Sequence, residues 1–339
     1  MGDMLKHHYG VLLVNTGTPD EPTPEAVKTY LEAFLMDERI MPMNRYVWWV
    51  ILHAFILPRR SVASAKKYAT IWTPEGSPFT LGHQWIAEHM PARLMKTHQN
   101  VSLRVAMSYG HPFVNDMLAE LREEGCNKLI VLPLYPQSAS STTGSVKDSV
   151  QRGLKALNWD VSVEVIDNYH NNPLYIKAIA DTIRNSDFKF NSDERLLFSF
   201  HSIPLNDIKR EGDTYPDQVQ ETCRLVAEEL SLPDDRWAVG FQCRFDKSRE
   251  WLSPFSRSIL ADWAYEPPSK VWMLCPNFVV DCLETFYDVG SILKPWYQEQ
   301  LSSHHNLADD TVLDYIPCVG GSETQLDILE SVLSPYLQD

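Results

Sequence analysis

The sequence predicts an α/β fold made of two similar halves, each with a largely parallel sheet flanked by helices. Three observations support this prediction. Short apolar runs rich in Val, Leu and Ile recur along the chain, helix-like stretches separate most of them, and the pattern of the first half returns in the second. With 339 residues, the chain is long enough for about two domains. A hydrophobic fraction of 44% is sufficient to fill their cores.

The apolar runs are the strand candidates, because each is short and bounded by polar or turn residues. They cover residues 11–14, 101–106, 129–134, 161–166, 196–200, 237–241, 271–275 and 312–316. The first helix begins where Thr23 can act as N-cap and Pro24 takes the first helical position. The other candidate helices cover residues 61–71, 80–96, 113–124, 172–186, 215–231, 250–264 and 322–337. Strands that alternate with helices are typical of βαβ units.

The two halves share the way in which strands run into loops. Residues 11–19 resemble residues 196–204, and residues 128–133 resemble residues 270–276. We therefore predict an N-terminal domain over residues 1–160 and a C-terminal domain over residues 161–319. We expect the final helix, within residues 320–339, to pack back on the first domain.

Charge and motif content exclude two classes of function. A formal net charge of −15 argues against nucleic acid as a partner, because nothing offsets the repulsion from phosphates. An anionic small ligand needs only a local basic patch, and the densest patch combines Arg59–Arg60 with Lys66–Lys67. Gly17 and Gly144 belong to neither a GxGxxG motif nor a P-loop motif, so a nucleotide-binding fingerprint is absent.

The cysteines and the first residues indicate a reducing compartment. The six cysteines are scattered and none lies in a CxxC pair, so the sequence offers neither a zinc knuckle nor a thioredoxin-like motif. The first eight residues contain no apolar h-region of a signal peptide. We therefore expect a cytoplasmic protein.

Residues 46–57 form an almost entirely apolar segment that is too short to cross a bilayer, which takes about 20 residues. Two interpretations are open. The segment is a core helix, or it is an exposed apolar lip that grips a greasy ligand or rests peripherally on the inner membrane. Trp48 and Trp49, with Arg59 and Arg60 just beyond, suit the lip, because aromatic and cationic side chains concentrate at headgroup depth.

A histidine and a carboxylate each follow a buried apolar run. Residues 196–200 run into His201, and residues 271–275 run into a segment that reaches Glu284. In open α/β sheets, ligands bind outside the carboxyl ends of the strands. His201 is either a hydrogen-bonded structural group or a neutral imidazole that accepts a proton or ligates a metal. One histidine with carboxylates and water would hold Fe²⁺ only loosely, which suits delivery of the metal.

Asp281, Glu284 and Asp288 stand at positions i, i+3 and i+7, a spacing that predicts one face of a helix. No Lys or Arg lies between them. Crowded carboxylates raise one another's pKa unless a cation lies among them, which suits a proton relay or a cation path. The alternative is a solvated acidic face that complements a helix N-terminus.

Two further features suit an anionic, flat ligand. Residues 135–145 form a hydroxyl-rich loop, and its free N–H groups could hold a carboxylate. Helix capping accounts for some of these hydroxyls but not for the unbroken run from Ser140 to Thr143. Arg59 and Arg60 follow the apolar segment and could bind the carboxylate edges of a greasy ligand. They could equally be cations that complement a helix C-terminus.

Several segments in this order are similar to the ferrochelatase family, in its bacterial protoporphyrin type, whose members insert iron into porphyrin. The matching segments are residues 12–19, 48–60, 76–78, 107–110, 134–137, 141–144, 198–204, 212–216, 241–245, 251–252 and 275–285. The resemblance implies two Rossmann-like domains of the chelatase fold, with the porphyrin in the cleft between them. It implies Fe²⁺ and protoporphyrin IX as substrates, protoheme as product and no organic cofactor.

The resemblance also implies roles for individual residues. His201 and Glu284 become the catalytic pair and the metal ligands, with Asp288 as a third catalytic carboxylate. The residues placed around the porphyrin are Thr16, Trp48, Arg59, Arg60, Ser77, Tyr109, Tyr135, Trp251 and Phe278.

The chain departs from the family pattern at several positions. Asp288 stands where a second glutamate is usual, Ser138 where an aromatic residue is common, and residues 318–322 where many relatives carry an asparagine. Cys318 is the last cysteine and Ser140 fills a position that can be a cluster cysteine, so we predict no iron–sulfur cluster. These departures leave two alternatives open: a chelatase for another metal or tetrapyrrole, or a non-enzymatic porphyrin or heme carrier.

Overall fold

The computed structural model describes residues 7–242, 244, 246–305 and 312–337. The chain divides into two compact units. The first unit consists of the chain up to Tyr135, the segment Ala139–Asn168 and the chain from Gly321 onward. The second unit consists of Pro136–Ser138 and Tyr169–Gly320. Cys243 and Phe245, which belong to one of the matching sequence segments, lie outside the described residues.

The first unit contains a four-stranded parallel sheet with the order β2-β1-β3-β4. Its strands are β1 (Tyr9–Asn15), β2 (Val101–Met107), β3 (Lys128–Pro133) and β4 (Ser162–Val165). Every residue of β1 is buried, as expected for a central parallel strand covered on both faces. The strand order reverses between β1 and β3, so the loops after these two strands border the switch point where ligands bind in open sheets.

The second unit repeats this topology. Its strands β5 (Arg195–Phe200), β6 (Trp237–Phe241), β7 (Val271–Leu274) and β8 (Leu313–Tyr315) form a parallel sheet with the order β6-β5-β7-β8. Strand β5 therefore corresponds to β1, and β7 corresponds to β3. The α/β prediction and the similarity of the two halves are confirmed. His201 lies in the loop after β5, and Glu284 lies in the first turn of the helix that follows β7.

Helices flank both sheets. The first unit begins with α1 (Pro24–Leu35), α2 (Arg45–Ile51), α3 (Leu57–Ile71), α4 (Pro78–Leu94), α5 (Val114–Glu123) and α6 (Ser145–Ala156). The second unit contains α7 (Pro173–Arg184), α8 (Leu205–Glu211), α9 (Tyr215–Glu229), α10 (Ser256–Trp263), α11 (Leu283–Phe286) and α12 (Lys294–His305). The last helix, α13 (Glu323–Leu333), belongs to the first unit.

Two boundaries differ from the sequence prediction. Strand β4 pairs with β3, so the first unit continues to Asn168 and passes the boundary that we placed near residue 160. The helix predicted over residues 250–264 begins only at Ser256, because the preceding segment pairs with the loop after His201. The Leu252 N–H donates to the Ile203 carbonyl at 2.9 Å, and Trp251 forms a β-bridge with Pro204.

Ion pairs connect α13 to α4 in the first unit. Arg93 donates to Glu330 at 2.7 Å and to Glu323 at 3.2 Å, and it also bonds Asp327. These three acidic residues lie on successive turns of α13, so the single Arg93 guanidinium contacts α13 along three turns.

Among the described residues, three π-helical turns occur beside or between helices, at Leu52–Ile56, Ser140–Gly144 and Tyr287–Leu293. Such turns are rare and frequently occur at functional sites. Each falls within or beside a segment that the sequence singled out: the apolar stretch, the hydroxyl-rich loop and the acidic stretch.

Candidate active site

The loops after β1 and β3 meet at the switch point of the first sheet. The Thr16 hydroxyl and the Tyr135 hydroxyl are 2.5 Å apart, and the Thr16 N–H donates to Asn15 Oδ1 at 2.7 Å. Burial raises the pKa of Tyr135, so its hydroxyl keeps its proton. These contacts fix two of the predicted porphyrin-binding side chains against each other at a strand end.

Tyr109 joins the same strand end through its backbone. Its N–H donates to the Thr16 carbonyl at 3.0 Å, and its hydroxyl donates to Asp37 at 2.7 Å. The close approach needs glycine at position 110, because a Cβ there would lie 2.8 Å from the Thr18 carbonyl oxygen. Tyr109 itself is buried, and burial raises its pKa.

The hydroxyl-rich loop has an internal structural role that its sequence did not reveal. The Thr142 hydroxyl accepts from the Ala139 N–H at 3.2 Å, and the Thr143 hydroxyl donates to the Asp167 carbonyl at 3.4 Å. Ser140 accepts from Arg39, which also forms an ion pair with Asp148. These contacts account for most of the hydroxyls from Ser140 to Thr143, whereas the carboxylate site expected at free N–H groups of this loop stays a prediction.

The apolar segment of residues 46–57 is partly a core helix and partly an exposed apolar lip, so each of the two interpretations drawn from the sequence holds for one of its faces. Helix α2, a π-helical turn and α3 follow one another without a break. Trp48 faces inward, 7% exposed, and its indole N–H donates to the Leu35 carbonyl at 2.7 Å. The outward face exposes large apolar side chains: Tyr46, Val47, Trp49, Val50 and Phe55. Trp48 is thus a core residue beneath an exposed apolar surface, which we call the outer face of the lip.

Arg59 and Arg60 lie in the first turn of α3, directly after this surface. Arg59 is exposed and Arg60 is half-buried. The helix continues to Ile71, so the two cations are not at a helix C-terminus. The alternative explanation from the helix dipole is therefore wrong.

Ser77 is the N-cap of α4. Its hydroxyl accepts from the Thr80 N–H at 3.2 Å, and the residue is buried. This capping contact alone accounts for a serine followed by proline at a helix start.

In the second unit, His201 begins the loop directly after β5. Its carbonyl accepts from the Tyr215 hydroxyl at 2.8 Å, and the next residue, Ser202, donates to the Leu252 carbonyl at 2.8 Å. The backbone that carries the imidazole is therefore held from two sides. Enclosure by protein lowers the pKa of His201, whereas the negative charge of Glu284 and the Gln242 amide act in the opposite direction.

Gln242 was not among the predicted site residues, although it lies in a matching sequence segment. Its N–H donates to the Phe200 carbonyl at 2.7 Å, which ties the end of β6 to the end of β5. Its Oε1 is buried and, apart from its effect on the His201 imidazole, meets no hydrogen-bond donor among the described residues. A buried acceptor beside His201 favours the protonated imidazole and could receive its N–H.

The acidic segment differs from the predicted helical face. Helix α11 begins only at Leu283, so Asp281 precedes the helix, while Glu284 lies in its first turn and Asp288 in the π-helical turn that follows. Asp281 instead accepts from the Tyr315 hydroxyl at 2.7 Å. All three carboxylates still raise the pKa of the buried Cys275 thiol at the end of β7, after the larger effect of burial.

Glu284 has a close neighbour that the sequence did not single out. The Cys282 thiol lies 3.1 Å from Glu284 Oε2. Burial raises the pKa of Cys282, and the charge of Glu284 raises it further, so the sulfur carries a proton. No sequence pattern distinguishes this cysteine from the other scattered ones.

Trp251 and Phe278, the remaining predicted porphyrin contacts, lie on loops of the second unit. Trp251 is 8% exposed, and the Arg249 guanidinium stacks on its ring at 4.9 Å from the centroid. Phe278 is half-buried and packs against the core that contains Met273.

The described residues contain no group of three or more His, Cys, Asp or Glu side chains arranged to hold a metal ion. Within the same residues, no helix combines the length and apolar character needed to cross a membrane.

Comparisons with known proteins show which family and which fold the chain resembles. The ferrochelatase family model matches residues 8–335. The ferrochelatase of Actinobacillus pleuropneumoniae serotype 5b is 40% identical over 330 residues, which cover 97% of this chain and 99% of the relative. Ferrochelatase 1 of Shewanella oneidensis is 36% identical over 331 residues, covering 97% and 96%. The structure of SirB from Bacillus subtilis with Fe³⁺ has a TM-score of 0.56 at 10% identity and covers 98% of both chains, a likeness of fold alone.

Two units with the same parallel strand order, together with the likeness of fold to SirB, place this protein in the chelatase fold class. Within that class, the chain belongs to the ferrochelatase family, the enzymes that insert iron into protoporphyrin during heme biosynthesis. The resemblance drawn from the sequence is confirmed. The alternatives of another tetrapyrrole chelatase or a heme carrier are not favoured.

Proposed function

We propose that this chain inserts Fe²⁺ into protoporphyrin IX with His201 as the proton acceptor. As iron enters, two pyrrole N–H bonds break, four Fe–N bonds form and two protons leave. An acceptor must be neutral at the start of this step, and the lowered pKa of His201 keeps its imidazole neutral near pH 7. The placement of His201 directly after β5, with Glu284 near enough to act on its charge, is the observation that carries the proposal.

Glu284 and Asp288 complete the proposed proton and metal path. Glu284 raises the pKa of His201, so it stabilises the imidazolium once the proton has arrived. Asp288 follows it in the π-helical turn, and both act electrostatically on Cys275. A row of carboxylates can lead a cation in or carry protons away, and Glu284 with His201 would ligate the iron in transit.

The proposed porphyrin contacts fall into two kinds. Thr16, Tyr109, Tyr135, Trp251 and Phe278 offer ring faces and hydroxyls for a flat apolar macrocycle. Arg59 offers an exposed guanidinium that can bind a propionate in bidentate fashion, and Arg60 lies beside it. Trp48 and Ser77 act indirectly, since Trp48 supports the lip from beneath and Ser77 caps α4.

The outer face of the lip supports a further proposal, contact with a membrane surface. Five large apolar side chains stand exposed there, with Trp49 50% and Tyr46 84% exposed. Exposed apolar surface next to arginines suits a site where a protein rests on a bilayer without crossing it. We therefore keep the predicted cytoplasmic location, with peripheral contact at the inner membrane, as a proposal.

Anaerobic incubation of the protein with Fe²⁺ and protoporphyrin IX tests the function. We expect the free-porphyrin absorbance spectrum to be replaced by that of protoheme. Porphyrin bound without loss of the free-base spectrum would indicate a carrier, and turnover with a different tetrapyrrole alone would indicate another chelatase. We also propose that the protein holds no iron–sulfur cluster, and acid-labile sulfide in the anaerobically purified protein would contradict that.

A further inference from the structure

Cys282 occupies a rigid position directly before α11. Its N–H donates to the Thr285 hydroxyl at 2.9 Å, and that hydroxyl donates to the Cys282 carbonyl at 3.1 Å. Thr285 is fully buried and Cys282 is 6% exposed. This reciprocal pair holds the backbone of Cys282 in place at the start of α11.

From this position the thiol reaches the carboxylate of Glu284. Cys282 Sγ lies 3.1 Å from Glu284 Oε2, well within the distance for a hydrogen bond to sulfur. An ionised carboxylate only accepts hydrogen bonds, so the thiol is the donor. Because Cys282 is buried, water cannot easily replace the sulfur as donor on this side of the carboxylate.

We infer that Cys282 is a positioning residue for Glu284, and this inference rests on the role proposed for Glu284 above. The thiol selects one orientation of a carboxylate that lies in a short helical turn and would otherwise rotate. A carboxylate held in one orientation presents its other oxygen, Oε1, to the incoming cation or to His201. Orientation of a reacting group contributes to the rate of the step rather than to substrate affinity.

Two substitutions distinguish the effect of losing the hydrogen-bond donor from the effect of losing side-chain volume. Cys282→Ser keeps a donor of similar size, whereas Cys282→Ala removes it. We expect Cys282→Ala to lower kcat about tenfold, the size of one lost hydrogen bond to a charged acceptor, with an unchanged KM for porphyrin. Cys282→Ser restores kcat to within about threefold of the original enzyme.

A double-mutant cycle shows whether the effect passes through Glu284. In a Glu284→Ala background, Cys282→Ala has no further effect on kcat if the thiol acts only on that carboxylate. Cys223→Ala, which removes another fully buried thiol of the second unit, serves as the matched control and leaves kcat unchanged. Thermal unfolding of every variant shows which of them remain folded.

Infrared spectroscopy provides a readout that does not depend on turnover. The difference spectrum between the original protein and Cys282→Ala isolates the S–H stretching band of Cys282. We expect Glu284→Ala to move this band to higher frequency, because the thiol loses its acceptor. A band that stays in place overturns the inference, and so does an equal loss of kcat in Cys282→Ser and Cys282→Ala. If the band shifts but the original protein shows no iron insertion, the contact between Cys282 and Glu284 is supported and the proposed function is contradicted.

Discussion

Glu284 raises the pKa of His201 while enclosure of the ring lowers it, and the enclosure has the larger effect. His201 lies in the loop after β5, and Glu284 lies in the first turn of α11, which follows β7. Strands β5 and β7 are neighbours in the centre of one sheet. The imidazole therefore starts neutral and has a negative charge close by when it becomes protonated. This is the arrangement that a proton acceptor for pyrrole N–H groups requires.

The stability of the first unit should depend on pH through His83. This buried imidazole contacts Asn15 at 3.0 Å, and burial lowers its pKa to about 4. Between pH about 4 and 6.5 the unfolded chain binds the proton that the folded chain excludes, so stability falls as pH falls through this window. The loss amounts to about 3 kcal/mol, because each pKa unit is worth about 1.4 kcal/mol.

Chemical unfolding of the original protein and of His83→Gln at several pH values measures this contribution. Glutamine can still donate and accept hydrogen bonds but does not titrate. We expect the difference in unfolding free energy between the two proteins to change over that window and to level off below it. A constant difference across the window would show that His83 does not supply the pH dependence.

Arg59 should contribute to porphyrin affinity rather than to the insertion step. Because its guanidinium is exposed, an ion pair with a propionate is worth up to about 1 kcal/mol, so Arg59→Ala should raise KM for protoporphyrin about fivefold with little change in kcat. Steady-state kinetics measures both constants. Lys66→Ala, which removes another exposed cation of α3, is the control.

The dimethyl ester of protoporphyrin provides a second control for Arg59. The ester lacks the carboxylates, so the original protein and Arg59→Ala should bind it equally. If the original protein still bound the ester more tightly than Arg59→Ala does, Arg59 would act on something other than a propionate.

The outer face of the lip should determine membrane contact. Each exposed apolar side chain that enters a bilayer surface contributes about 1.5–3 kcal/mol, so the double change Trp49→Ser with Phe55→Ser should lower partitioning into anionic lipid vesicles at least tenfold. Tyr265→Ser, at a 64% exposed aromatic residue of the second unit, should have no such effect. Equal partitioning of all three proteins in vesicle sedimentation would count against the lip as a membrane contact.

Trp48→Ser should behave differently from the change at Trp49. Its ring is buried and its N–H is bonded to Leu35, so its removal should destabilise the first unit by about 3–5 kcal/mol. Thermal or chemical unfolding measures this loss. Unchanged stability would show that Trp48 is not part of the core.

The sequence predicted the fold well because strand periodicity and strand ends are local properties. All eight strands lie where apolar runs end in polar or turn residues, and His201 stands at such an end. The sequence patterns of β1 and β3 recur at β5 and β7 because these strands occupy corresponding central positions in two sheets with the same strand order.

Side-chain partners were less predictable, because they depend on contacts between residues distant in sequence. The i, i+3, i+7 spacing suggested one helical face, but Asp281 lies before the helix and bonds Tyr315. Trp48 and Trp49 are adjacent in an apolar run, and only the packing of the helix shows that one is buried and the other exposed. Cys282 lies within the matching segment 275–285, but nothing in the sequence singles it out, because its contact with Glu284 is visible only in the structure.

Comparison of the original enzyme with His201→Ala tests the central claim most directly. Anaerobic Fe²⁺ insertion gives kcat, and quenching of porphyrin fluorescence gives the affinity for protoporphyrin IX. We predict that His201→Ala lowers kcat by at least a hundredfold, as for loss of a general base, while the porphyrin dissociation constant stays within about twofold. Near-normal turnover by the variant would contradict the role of His201 as proton acceptor.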